Sequence, residues 1–259
     1  VHARYQRRYE GRTDAAAKVR PVSRRSLEGL LAALRSAVQR LEWKPQGTPW
    51  ADYYEGDSYS ERSSQHKREL VARYLERIEP RSVLDLGANT GVYSRIASGR
   101  GIPTLACDVD PACVERNYRE LRAKRESNLL PLVLDLTNPS PAIGWANRER
   151  ATLPERRPPE TLMALALIHH LAIANNVPLP RIAAYFASLA KQLIVEFVAK
   201  SDPKVQTLLA TREDIFPDDT REGFEEAFAE HWIIDEATPI EGSERTLYRM
   251  HRRREDASI

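Results

Sequence analysis

From residue 82 onward, short apolar runs alternate with stretches of helical pattern, and that alternation restricts the fold more than any other feature of the 259 residues. Residues 82–86, 103–108, 130–136, 162–168 and 193–198 are apolar along most of their length and too short for independent helices. Strands that are apolar on both faces belong inside a parallel sheet covered by helices on each side. Helical stretches are predicted at 92–98, 111–124 and 179–191, with two more within 203–230. The last two runs, 232–237 and 245–250, are separated only by residues 239–244. A link that short closes a hairpin and cannot make a parallel crossover. The expected fold is therefore α/β, a doubly wound, seven-stranded, mostly parallel sheet with one antiparallel strand. Such sheets bind ligands beyond the carboxyl ends of their strands, near the switch point.

Ahead of the sheet lies a different kind of sequence. Residues 1–40 hold ten Lys/Arg against three acids, a net +7, although the whole chain is only +2. A basic arm on a mildly acidic body results. Within it, Ser26 is placed to cap a helix over 27–41 whose Leu27, Leu30, Leu31, Leu34, Val38 and Leu41 share one face, and that face needs something to pack on. Residues 43–60 read as an aromatic loop with Trp43, Trp50, Tyr53, Tyr54 and Tyr59. A helix over 63–78 follows. The expected organisation is a basic helical N-terminal extension and aromatic cap over 1–80, and a ligand-binding domain over 81–259. Two cysteines, a charged N-terminus without an apolar stretch and no long apolar run point to a cytoplasmic protein with no membrane partner.

Chemistry concentrates at one turn. Asp85-Leu86-Gly87-Ala88-Asn89-Thr90-Gly91 joins the first strand to the first helix. Gly87 permits a tight turn and a close backbone approach, and Gly91 lets the helix start against the strand. Asp108, at the end of the second strand, is placed to accept both hydroxyls of a ribose. Asp135, at the end of the third run, adds a polar group on the same edge. A phosphate-binding loop needs Gly-Lys-Ser/Thr, but Val92 follows Gly91. A pyrophosphate site needs closer glycines, and Asp85 would repel it. A zwitterionic adenosine derivative satisfies all three carboxylates.

These residues resemble the motifs of the class I S-adenosylmethionine (SAM)-dependent methyltransferases. The segment 85–91 resembles the family's first motif, with Asn89 where a middle glycine is usual. Ala106-Cys107-Asp108-Val109-Asp110-Pro111 resembles the second and Leu134-Asp135-Leu136 the third. The resemblance covers roughly 82–255. It extends to a bacterial branch sharing Leu165-Ala166-Leu167-Ile168-His169-His170-Leu171 and Arg245-Thr246-Leu247-Tyr248, usually described only as methyltransferases. It implies a Rossmann-like fold, SAM as cofactor and S-adenosylhomocysteine (SAH) as product. It also implies cofactor contacts at Asp85, Gly87, Asn89, Gly91, Asp108, Val109, Asp135 and Leu136, with Tyr59 or Lys67 near the carboxylate of SAM. The Asn138-Pro139-Ser140-Pro141 stretch follows the third strand, not the fourth, which disfavours a DNA-amine methyltransferase.

Three candidate catalytic side chains remain. His169 or His170, at the exit of the fourth strand, is placed to act as a general base, and alternation along a strand lets only one face the pocket. Glu196 is a carboxylate inside an apolar strand, where buried acids are rare, and it is expected to orient substrate or to bond a neighbouring strand's backbone. Two adjacent histidines without further ligands give no metal site. The expected activity is methyl transfer to O or N of a small-molecule, natural-product-like acceptor. The alternatives are an RNA or protein acceptor docked by the basic arm, a non-catalytic SAM-binding scaffold and, against the glycine spacing, an NAD-linked oxidoreductase. The oligomeric state is open.

Overall fold

The computed structural model describes residues 22–45, 48, 61–156, 159–210 and 212–254. The chain divides into two compact units, Val1–Lys44 and Pro45–Ile259. The first contains one described helix, α1 (Arg24–Gln39). It begins a turn earlier than expected because Ser23, not Ser26, caps it: Ser23 is extended and its hydroxyl accepts the Ser26 N–H at 3.2 Å. No residue of α1 is buried, and the leucine face is exposed.

The second unit opens with α2 (Glu61–Ile78). The expected boundary at 80/81 falls inside this unit, because α2 is a layer of the sheet domain and not part of a separate cap. Its Leu70, Val71, Tyr74 and Leu75 share a core with Val83, Met163, Ile194 and Leu247 of the sheet. Burying four such side chains stabilises the junction by roughly 1.5–3 kcal/mol each.

After α2 come β1 (Val83–Leu86), α3 (Ser94–Ser98), β2 (Thr104–Asp108), α4 (Pro111–Lys124), β3 (Leu129–Val133), β4 (Thr161–Ala164) and α5 (Leu179–Leu189). The chain continues through β5 (Gln192–Val198), α6 (Pro203–Leu209), α7 (Arg221–Ala229), β6 (Trp232–Pro239) and β7 (Arg245–Arg252). The seven strands lie in the order β3-β2-β1-β4-β5-β7-β6. β1 to β5 pair in parallel, and β7 runs antiparallel to both β5 and β6. This is the expected sheet, and its order reverses between β1 and β4, which fixes the switch point there.

The second face carries α5 and α7. Phe224 sits among Phe197, Phe228 and Tyr248, with ring centroids 5.2, 4.3 and 5.0 Å away. No α-helix occurs among the described residues joining β3 to β4; a single 3-10 turn (Trp145–Asn147) does. Leu130 and Leu132 of the edge strand β3 consequently remain exposed.

Two strands end earlier than the apolar runs predict. β3 stops at Val133 because Asp135 takes the N–H and hydroxyl of Thr137 at 2.8 and 2.7 Å, turning the chain out of the ladder. β4 stops at Ala164, and Ala166 turns with φ +50°. Both early exits open the sheet edge where the expected ligand residues lie.

Truncating Phe224 to Ala removes the centre of the α7 contact. The expected loss is about 3–5 kcal/mol of unfolding free energy by urea titration; a loss below ~1 kcal/mol would contradict this account of the core.

Candidate functional site

At the carboxyl edge of β1, β2 and β4, the backbone leaves the sheet in a bend built for one shape. Gly87, Asn89 and Gly91 have φ of +72°, +50° and +79°. The middle position therefore needs a residue that tolerates the left-handed region, and Asn is the best of the non-glycines. The Gly87 and Ala88 amides donate to the Cys107 carbonyl at 2.9 and 3.0 Å, tying the bend to β2. The Gly91 amide donates to the Ala88 carbonyl at 2.8 Å. Behind the bend, a Cβ on Gly91 would lie 2.4 Å from Asn117 Nδ2, so α4 packs directly on that glycine.

Asp108 closes the arrangement. One carboxylate oxygen accepts the Asn89 N–H at 2.7 Å and the other the Asp110 N–H at 2.8 Å. Burial raises its proton affinity, and these amides oppose the rise. The carboxylate is thus fixed in orientation while lone pairs remain for a ligand.

A cavity of about 290 Å³ lies over this edge. Asp85, Leu86, Gly87, Ala88 and Asn89 form one wall, and Cys107, Asp108, Val109 and Leu134–Thr137 a second. Lys67, Tyr93, Leu165–Leu167, His170, Leu171, Ala174 and Asn175 complete it. Asp85 is buried and accepts the Ser94 hydroxyl at 2.6 Å. Burial pushes its carboxyl up to about 7, against the pull of Ser94 and Lys67, and Asp108 adds to the rise. Asp135 is held below the usual carboxylate range by Thr137.

Lys67 reaches the cavity from α2 with its ammonium 4.4 Å from the centre of the Tyr93 ring. It pairs with Glu196 at 2.5 Å. Burial lowers the proton affinity of Lys67, and Glu196 pulls it back up. Glu196 does not line the cavity; it sits within β5, shared between Lys67 and Arg245. The expectation that it orients substrate directly gives way to a paired, fully buried carboxylate.

His169 and His170 are not strand residues, because β4 has already ended; His170 opens a π-helical turn, His170–Ala174. Their rings lie 4.1 Å apart. His170 borders the cavity, and burial, with Arg245 nearby, pushes its imidazole down to about 4. His169 is buried away from the cavity, its Nδ1 has no hydrogen-bond partner, and burial, with His170 beside it, also pushes its imidazole well below the usual range. The one-in, one-out division expected of the pair is present, but a turn produces it rather than strand alternation.

The structure therefore gathers Lys67, Asp85, Gly87, Asn89, Asp108, Val109, Asp135, Leu136 and His170 around one cavity. It leaves His169 and Glu196 behind the wall, and Gly91 shapes the bend without lining it. Tyr59 lies outside the described residues. Sequence reasoning missed Tyr93 and the 165–167 turn as wall residues, and missed Arg245 and Asp202 as partners behind Glu196.

The cavity's groups fit a ligand with a cationic end, a diol and a flat apolar part. Three carboxylates and one paired ammonium do not fit a pyrophosphate. The fold is Rossmann-like, with a seven-stranded sheet that solved methyltransferases share. It aligns with the crystal structure of the N-methyltransferase NodS from Bradyrhizobium japonicum WM9 at a TM-score of 0.55 and 13% identity, over 76% of this chain and 99% of that one. It also aligns with SAH-bound magnesium protoporphyrin IX methyltransferase (ChlM) from Synechocystis PCC 6803 at 0.51 and 14%, over 87% and 97%. Among curated proteins the chain is similar to Nodulation protein NoeA of Rhizobium meliloti (strain 1021), with 35% identity over 237 residues, 91% of this chain. The chain spans about 50% of the length of that relative. No family model matches the sequence.

The glycines give a test of the bend. Gly91→Ala meets both a left-handed φ and Asn117, whereas Gly101→Ala meets only a φ of +80° with open space around it. The left-handed conformation alone costs roughly 1–2 kcal/mol. Gly91→Ala is expected to lower the melting temperature clearly more than Gly101→Ala in parallel thermal scans; equal shifts would contradict the packing of α4 on the bend.

Proposed function

We propose that the chain is a SAM-dependent methyltransferase that methylates O or N of a small-molecule, natural-product-like acceptor, in the cytoplasm, releasing SAH. The observation that carries the reading is the set of three carboxylates at one sheet edge, Asp108 among them held by two backbone amides beside the 87–91 bend. The fold supports it, as do neighbours described as methyltransferases, one of them with SAH bound.

In this reading Asp108 accepts the ribose hydroxyls, and Val109, Asp135 and Leu136 surround the adenine. Gly87, Asn89 and Gly91 shape the bend under the amino-acid end. Asp85 faces the ammonium of that end and Lys67 its carboxylate. Tyr59 is a further contact expected from sequence alone. When bound, SAM supplies an electrophilic methyl group on a sulfonium. The chain's part is to hold the acceptor in line, exclude water with Leu165, Leu167 and Leu171, and take the acceptor's proton. His170 is the proposed proton acceptor, since an imidazole with its affinity near 4 is neutral at working pH. His169 lies behind it, its ring tilted against that of His170.

An RNA or protein acceptor is the second reading. It rests on the exposed leucines of α1 and on Arg24, Arg25, Arg35 and Arg40 beside them. The same exposed face is what a non-catalytic scaffold would use. Among the described residues no helix is long and apolar enough to cross a membrane.

Calorimetry with SAH tests the cofactor assignment. Asp108→Ala is expected to weaken binding by about 100-fold, the loss of hydrogen bonds to a charged group worth ~1.5–3 kcal/mol each. Unchanged affinity would remove Asp108 from the ribose.

Asp85 gives a pH signature. Its carboxyl is half protonated near pH 7 in the free protein, and a ligand ammonium beside it favours the ionised form. Below pH 7 binding must expel a proton, so SAH affinity is expected to fall as pH drops from 7.5 to 6. Proton release should show as a buffer-dependent heat. Asp85→Asn should flatten the profile; a wild-type affinity that rises on acidification would contradict the placement.

A further inference from the structure

Behind the cavity lies a chain of four charged side chains, all nearly buried. Lys67 and Arg245 are 2% exposed, Glu196 0% and Asp202 8%. Lys67 Nζ pairs with one oxygen of Glu196 at 2.5 Å, and Arg245 Nη1 approaches the other at 3.5 Å. Arg245 Nε donates to Asp202 at 2.7 Å. Asp202 in turn caps α6, accepting the Lys204 N–H at 2.9 Å. The quartet joins α2, β5, β7 and the start of α6.

Stability does not explain this arrangement. Removing charges from water is costly, and apolar side chains of similar volume serve a core as well or better. What the quartet does achieve is placement. It holds a protonated ammonium at the wall of a cavity that also contains Asp85, whose charge Lys67 feels. Burial drives Lys67 toward its neutral form, and Glu196 is the main group holding the proton on. Arg245 draws on the same carboxylate, so Glu196 is divided between two cations. Asp202 keeps Arg245 from taking it entirely. The cavity wall thus presents an anion and a cation that feel each other's charge, the complement of an α-amino acid zwitterion.

We propose that Glu196 is a positioning residue that, braced by Arg245 and Asp202, holds the Lys67 ammonium where it binds the carboxylate at the amino-acid end of the cofactor. The proposal rests on the SAM reading above and adds to it a line of force running from α6 to the ligand. Glu196 touches no ligand and acts only through Lys67. Arg245 ties the same network to the histidine turn, since its charge reaches both His169 and His170.

The test compares two ligands that differ only at the amino-acid end: SAH, and methylthioadenosine, which keeps the adenosine and the thioether sulfur but has no amino acid. Calorimetry on the full chain gives both affinities. Wild type is expected to prefer SAH. Glu196→Gln and Lys67→Met are each expected to weaken SAH by about tenfold or more, the usual worth of a charge-assisted contact. Methylthioadenosine should stay within about threefold. In the Lys67→Met background, Glu196→Gln should cost nothing further for SAH, because the two act as one unit. The double variant replaces the whole pair, so it also serves if Glu196→Gln alone fails to fold. Equal losses for both ligands, or a preference for SAH that Glu196→Gln leaves intact, would overturn the proposal while the cofactor reading stands. A wild-type protein that binds neither ligand would overturn the cofactor reading and this proposal with it.

Discussion

The hydrogen bond from the Asn89 amide to the Asp108 carboxylate organises the site. It spans the gap between the first bend and the second strand, and it works only if residue 89 takes a left-handed backbone. The sheet places β1 beside β2 in register, Leu86 opposite Cys107, so bend and carboxylate meet at one edge. A second amide, from Asp110, holds the other carboxylate oxygen and leads directly into the Pro111 start of α4. α4 then packs Asn117 against Gly91, returning to the bend it started beside. The cavity floor is therefore a closed circuit of backbone and side-chain contacts, and its orientation is set before any ligand arrives.

Charge is the second organising constraint. Buried acids cluster at one edge, and burial raises the proton affinity of Asp85 and Asp108 alike. Such a cluster favours a cationic group over a phosphate. The opposing cation, Lys67, arrives from a helix that precedes the sheet in sequence. That helix is a layer of the domain because its apolar stripe is buried against the sheet. Folding and site assembly are in this sense one event.

The regular parts of the molecule were legible in the sequence. Apolar runs located every strand, and the short 239–244 link predicted the antiparallel strand. Asp85, Gly87 and Asn89 were expected from a turn whose chemistry is local and Asp108 from its place at the end of the second strand, and all four line the cavity. The less legible features depend on contacts distant in sequence. β3 and β4 stop before their apolar runs do, since an Asp135–Thr137 turn and a left-handed Ala166 end the ladders. Hydrophobicity carries no mark of either. Glu196 looked functional because a lone acid in an apolar strand needs a reason, but its partners are Lys67 and Arg245, 129 and 49 residues away along the chain. The boundary expected at 80/81 followed the start of the strand–helix alternation, whereas the helix just before it already packs on the sheet.

The account turns on an adenosine held at the β1–β4 switch point by Asp108. Its most direct test is a crystal structure of the protein soaked with SAH. The account predicts adenine between Val109 and Leu136, both ribose hydroxyls within hydrogen-bonding distance of Asp108, and the amino-acid end over the 87–91 bend. A bend left empty at saturating ligand, or one that takes a phosphate-bearing nucleotide instead, would contradict it.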